Sequence, residues 1–142
     1  MLHKFFNSFD PDSKADPLFG SVELHHNEAD NTYYLMKDIT LSNYPEKLSL
    51  TIESTSQEAD KAQFELFQEI EANFNQLIEQ ANQFMETHPD LPVKNFEAEA
   101  IYIGPQKNTK LWELSLLNTS DGSSYCIIEW QGLKPVGLSV EE

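Results

Sequence analysis

The chain reads as an α+β domain: a mostly antiparallel, twisted sheet of about seven strands in the order βββ-α-ββββ, with one long helix packed across one face. Three observations carry this. Short apolar/polar alternations of period two recur on both sides of residues 55–88, turn formers separate them at close intervals, and residues 55–88 alone carry a helical period. With 142 residues, 1–142 fits a single domain able to bury its own core.

Residues 1–17 form a lead-in segment in which FDPDSKADP is rich in turn formers. The first three strands occupy residues 18–54. In Leu18–His26, Val22 and Leu24 share one face, and Glu23 and His25 the other. After the turn NEADN, Thr32–Leu41 places Tyr33, Leu35, Ile39 and Leu41 together, interrupted by Lys37. KLSLTIES alternates most cleanly, with Leu48, Leu50 and Ile52 inward and Ser49, Thr51 and Glu53 outward.

From Thr55 to His88 the spacing predicts a single helix, its stripe running through Phe67, Ile70, Phe74, Leu77, Ala81 and Phe84, widened by Phe64, Ile78 and Met85. Thr55 and Glu58 have the form of a capping box, and Pro89 disfavours helical geometry at His88. Such a helix would be roughly 45–50 Å long. It would overhang a small sheet or cross it diagonally.

The second strand group spans residues 96–142. Phe96–Ile103 alternates and then turns apolar on both faces. In KLWELSLLN, Trp112, Leu114 and Leu116 share a face. In YCIIEWQ, Cys126, Ile128 and Trp130 oppose Tyr125, Ile127 and Glu129. Val136, Leu138 and Val140 mark a short closing strand. Short turns favour antiparallel meanders, without fixing strand order.

Composition narrows the function classes. Nine lysines and no arginine stand against 24 acidic residues, a formal net charge of −15. Nucleic acid and anionic membrane surfaces are therefore poor partners, since both require cations. A basic protein would be drawn in by the long-range field; acidity also serves solubility alone. The single Cys126 excludes an internal disulfide framework and fits a reducing compartment. No long apolar run is present, so a cytoplasmic location is expected.

The chemistry-bearing residues give little to build an enzyme on. His25 and His26 are adjacent and point to opposite faces of a strand, so they do not chelate one ion, and His3, His88 and Cys126 show no ligand spacing. No metal and no cofactor is expected. Glu97 and Glu99 share a strand face, with Glu113 and Glu129 on strands that can neighbour it; paired carboxylates serve acid/base chemistry, and they also serve a solvated sheet face. Cys126 sits within an apolar run, where a thiol is inert. No G-x-S-x-G, P-loop or G-x-G-x-x-G motif occurs. The chain is expected to be non-enzymatic. On the helix, Glu58, Glu65, Glu69, Glu71, Glu79 and Glu86 are interleaved with Gln and Asn and only Lys61 as a cation, which makes its back either plain surface or a docking face.

DPLFGSVEL, followed by the alternation LSLTIES and the acidic helix EADKAQFELFQEIEANFNQLIEQA, resembles a set of small bacterial domains of unknown function, some encoded beside polymorphic toxins and thought to act as immunity proteins. The resemblance spans about Asp16 to Ala81 and implies no catalytic residue. Taken with the charge, it leads to the expectation of an acidic intracellular binding protein that neutralises a basic toxin domain by occluding it. Glu65, Glu69, Glu97, Glu99, Glu113 and Glu129 are the candidate charged contacts, with Tyr102, Trp112 and Trp130 as aromatic anchors where exposed. Two other readings stay open. One is a small ligand-binding or enzymatic domain with a pocket between helix and sheet; the other is a structural module whose surplus helix pairs in a homodimer.

Overall fold

Alternating residues of the computed structural model, which describes residues 12–88, 95–107, 109–120 and 122–141, build one open eight-stranded sheet whose spatial order is its chain order. The strands are β1 (Asp12–Asp16), β2 (Gly20–Asn27), β3 (Thr32–Ile39), β4 (Leu48–Ser54), β5 (Phe96–Ile103), β6 (Leu111–Asn118), β7 (Tyr125–Gln131) and β8 (Lys134–Glu141). All neighbours are antiparallel except β4 and β5, which run parallel with Leu50 beside Ile101 and Ile52 beside Ile103. Two meanders thus meet at one parallel seam. Parallel neighbours cannot be joined by a hairpin and need a crossover, and helices α1 (Lys61–Ala72) and α2 (Phe74–Glu86) lie in that connection.

The α+β class and the two meanders are as the sequence indicates. The lead-in segment differs: β1 lies within it, so the sheet has eight strands rather than about seven. Strand β1 pairs with β2 from Asp12 opposite Leu24 to Asp16 opposite Gly20, and Gly20 has φ +76°, a left-handed turn conformation that suits glycine. Asp16 is the reason the turn holds. Its carboxylate accepts the backbone N–H groups of Leu18 and Phe19 (3.0 Å each) and, across the fold, that of Ala59 (3.1 Å). A carboxylate two residues before a turn amide is read from sequence only as turn chemistry, and the extra strand it seeds is hidden by its polar composition, DSKAD.

The single long helix is also corrected. Thr55–Glu58 is not its start; the capping box is Asp60 with Gln63, the Gln63 N–H donating to Asp60 Oδ1 (2.7 Å) and the Asp60 N–H to Gln63 Oε1 (3.0 Å). Ser54 and Ser56 hydroxyls instead bond the Glu58 carbonyl, holding the preceding residues in a non-helical bend. The helix then breaks at Asn73, whose φ of −117° leaves helical geometry while its side-chain amide donates to the Glu69 carbonyl (2.8 Å). Asparagine competes for backbone partners in this way, which is why it ends helices. Two helices of 12 and 13 residues replace one, each roughly 18–20 Å long. The length that motivated a helix-paired dimer is thereby divided between α1 and α2. The stop expected at Pro89 and the extended connection after it lie outside the described residues.

The helical stripe otherwise buries as expected. Phe67, Ile70, Phe74, Leu77, Ala81 and Met85, with Leu66, join one core with Leu35, Leu50, Ile52, Ile101, Ile103, Leu114, Leu116, Cys126 and Ile128. Trp112 and Trp130 complete it: they face each other across β6 and β7, stack at 5.1 Å, and are 2% and 0% exposed. Trp112 Nε1–H donates to the Gly132 carbonyl (2.7 Å). Burial pushes the Cys126 thiol up to about 11, so it stays protonated. Among the described residues no helix is long and apolar enough to cross a membrane.

One buried polar side chain locks the crossover to the seam. Gln63, 1% exposed, donates its amide to the Glu53 carbonyl at the end of β4 (2.7 Å) and the Gly104 carbonyl at the end of β5 (3.0 Å), while its Oε1 closes the capping box. Gln63→Leu keeps the volume and deletes all three bonds. Each buried group left unpaired costs about 1–3 kcal/mol, so the variant is expected to lose at least ~2 kcal/mol in urea unfolding, whereas Gln68→Leu, on the exposed side of α1, should change stability far less.

Candidate functional site

Both helices cover the same side of the sheet, and the side chains of opposite parity form a second, open face. Its directly opposed residues are fixed by the register: Tyr34 with Glu53, Met36 with Thr51, Thr51 with Tyr102, Tyr102 with Glu113, Glu113 with Glu129, Ser115 with Ile127, and Tyr125 with Glu141. Tyr34 and Met36 are buried there as a small cluster separate from the main core. Around them lies a concavity of about 460 Å³. Its apolar floor is Met36, Ala100 and Ile127; Tyr34, Tyr102 and Tyr125 line it with Glu53, Glu99, Glu113 and Glu141, and no lysine or histidine is among the lining residues.

A β-bulge places the central carboxylate. Ala98 opposes Leu116 and Ala100 opposes Ser115, so Glu99 is an extra residue without a partner on β6. The bulge is anchored from the helix side by Tyr44, whose hydroxyl accepts the Ala98 N–H (2.9 Å) and whose ring packs edge-on against Phe74. Glu99 Oε2 is shut off from solvent and has no hydrogen-bond partner among the described residues.

The tyrosines act as donors to these acids. Tyr102 O–H donates to Glu53 Oε1 in a short bond. Desolvation by burial, then the hydrogen bond and charge of Glu53, hold the Tyr102 hydroxyl far above its ordinary value. Desolvation raises Tyr34 as well, aided by Glu53 and Asp30, and it raises Tyr125, aided by Glu99 through charge and a hydrogen bond. All three remain neutral at physiological pH, and none offsets a negative charge. Glu113 is raised by desolvation first and then by Glu129 and Glu141.

Each residue singled out from sequence has a definite place. Glu99, Glu113 and Tyr102 come together in the concavity, and Glu129 lies directly opposite Glu113 on its border. Glu97 is exposed on β5 outside the lining. Glu65 and Glu69 do not join them: they lie on α1, at the other face, and are paired with Lys61 (3.7 Å) and Lys110 (3.2 Å). Trp112 and Trp130 are core residues, so neither meets the condition of exposure on which its role as an anchor depends. This concavity lies away from the helices; a more open hollow of about 420 Å³ lies between α2 and the β7–β8 turn, lined by Gln80, Gln83, Phe84, Thr87, Leu133, Lys134 and Pro135. Glu53, Tyr34, Tyr125 and Glu141 were not singled out. The outward parity of Glu53 and Tyr125 is the signal that could have found them.

The histidines occupy separate environments. His25 is buried, with Nε2 3.5 Å from a Glu23 carboxylate oxygen, whereas His26 is exposed, stacks on Tyr33 at 4.3 Å and bonds Asn31. Among the described residues no group of three His, Cys, Asp or Glu is placed to hold a metal. Comparison of the chain with protein-family models, curated proteins and solved structures finds no match.

Like charges directly opposite across strands destabilise a sheet, and Glu129 packs over Gly137 on its other side, where a Cβ would sit 3.2 Å from Glu129 Oε2. The folded protein holds the Glu113 proton more tightly than the unfolded chain, so the unfolded state binds fewer protons and stability falls as pH rises past the ordinary value of 4.5. Glu113→Gln should therefore be more stable than the parent near neutral pH, by roughly 0.2–1 kcal/mol. Urea unfolding across pH should show that gain shrinking to nothing below 4.5. A gain that persists at low pH would assign it to packing instead of charge.

Proposed function

We propose that the chain is an acidic protein-binding domain of the immunity type, which neutralises a basic effector domain by docking it on the open sheet face. The observation that carries this is the concentration of Glu53, Glu99, Glu113 and Glu141 in one concavity with no lysine or histidine lining it, next to the directly opposed pair Glu113 and Glu129. A sheet face of this kind costs stability when free and gains when a cation arrives. The formal charge of −15 adds long-range attraction for a basic partner. The exposed helix surface fits the role less well, because Glu65 and Glu69 already have lysine partners.

In this reading the domain acts by steric occlusion, and its carboxylates set encounter rate and orientation rather than performing chemistry. Tyr102 and Tyr125, which are half-buried, supply rigid contact area with a hydroxyl already committed to an acid, which suits them to an interface.

Co-purification with the product of a neighbouring gene tests the proposal. That product should bind, should be basic, and should kill cells that lack this protein. Reversing two charges, Glu113→Lys with Glu129→Lys, is expected to lower the association rate at least about tenfold at low salt and to flatten its salt dependence. Reversing Glu71 and Glu79, which are exposed on the helices, should leave the rate within a few-fold. A neighbouring product that neither binds nor kills would sink the idea.

A further inference from the structure

The concavity has a more specific shape than an acidic surface. Its floor is apolar (Met36, Ala100, Ile127), and three tyrosines and four glutamates line it together with that floor. A ligand that matches must be apolar along its length and cationic at its end. Long basic side chains have that construction, an aliphatic stem carrying an ammonium or guanidinium head. A compact inorganic cation would leave the floor uncovered. An exposed tyrosine face also attracts a cation laid against it.

Glu99 supplies an independent reason to place a ligand here. The bulge takes it out of strand pairing, and its Oε2 atom is closed to solvent with no partner among the described residues. Buried acceptors are nearly always satisfied, and one left open at a bulge that lines a concavity is best accounted for by a donor that arrives from outside. The neighbouring acids are differently occupied: Tyr102 donates to Glu53, and Glu113 faces Glu129. Glu99 shares a hydrogen bond with the Tyr125 hydroxyl, and its Oε2 is the oxygen that stays without a partner among the described residues.

We infer that the concavity is a receptor for a lysine or arginine side chain projecting from a protein partner, with its stem on Met36, Ala100 and Ile127 and its cationic head donating to Glu99. The inference rests on the proposed function and narrows it from an acidic face to a single anchoring contact. One buried basic anchor would account for specificity that a diffuse field cannot supply, because truncating a desolvated charge pair mainly raises the dissociation rate.

The test is a titration of the whole protein with hexalysine peptide, followed by backbone NMR and calorimetry at low salt. The expected result is saturable binding that shifts Thr51, Glu99, Tyr102, Glu113 and Ile127. Peptide acetylated on every lysine should not bind. Glu99→Gln should weaken binding at least about tenfold through loss of a charge-assisted hydrogen bond, and Glu113→Gln should weaken it less. The double variant Glu71→Gln with Glu79→Gln removes two charges from the helices and should stay within about twofold of the parent. Thermal melts of each variant establish that it is folded.

Three outcomes would overturn the inference: no saturable binding, equal losses for Glu99→Gln and the helix double variant, or n-butylammonium binding as tightly as the peptide. The last would make the site a small-amine receptor. Failure of this inference is separable from failure of the proposed function. A basic partner that co-purifies undiminished with the Glu99→Gln protein retains the function and removes the anchor, whereas hexalysine seated at Glu99 without any neighbouring toxic product does the reverse.

Discussion

The parallel pairing of β4 with β5 is the constraint on which the rest of the molecule depends. Every other strand neighbour is reached by a short antiparallel turn, but this pair needs its connection to travel back along the sheet. The connection takes the form of α1 and α2, and because both lie on one side, one sheet face is covered and the other is left to solvent. Gln63 ties the start of the crossover to the ends of both seam strands, through the carbonyls of Glu53 and Gly104. Asp16 does the same from the far meander by accepting the Ala59 N–H just before α1. The site and the core are therefore consequences of one topological decision.

The two faces differ in kind. The helix side is a close-packed apolar core in which even the tryptophans are spent on packing, and it supplies the driving force for folding. The open side carries a tyrosine–carboxylate surface with Tyr34 and Met36 as a small buried cluster, and it includes the opposed pair Glu113 and Glu129. Desolvation raises Glu113 because the concavity partly removes it from water while its neighbours repel its charge. An arrangement of this kind lowers the stability of the free protein. Its persistence in the fold is understandable where a cation completes it.

Much of the fold was legible because strand parity is a local property. KLSLTIES and YCIIEWQ alternate cleanly, so the inward Leu50, Ile52, Cys126 and Ile128 and the outward Glu53, Tyr125 and Glu129 were separable by inspection. The helical stripe was legible for the same reason. What was not legible is what depends on partners far along the chain. Strand β1 is polar and is a strand only because β2 offers it an edge. Asn73 carries a modest helix penalty that becomes a break only with its side chain on the Glu69 carbonyl. The site needed strand order: Glu53 and Tyr102 are 49 positions apart and meet solely because the seam places Thr51 beside Tyr102. Without that, Glu65 and Glu113 looked alike.

The bulge at Glu99 shows how one irregular residue converts a core strand into a site. In FEAEAIYI, strict alternation that buries Ala98 would also bury Ala100 and Tyr102 and would turn Ile101 and Ile103 outward. The opposite parity would bury Ile101 and Ile103 and drive Glu97 and Glu99 into the core. Neither register is tolerable, since one exposes two isoleucines and the other buries two carboxylates without partners. Inserting Glu99 as an unpaired residue changes parity midway, so that Ala98, Ile101 and Ile103 all reach the core while Ala100 and Tyr102 line the open face. The Tyr44 hydroxyl takes up the Ala98 N–H at that point. The same irregularity that rescues the core thus aims Glu99 into the concavity, which is why the acidic site sits at the bulge and not elsewhere on the face.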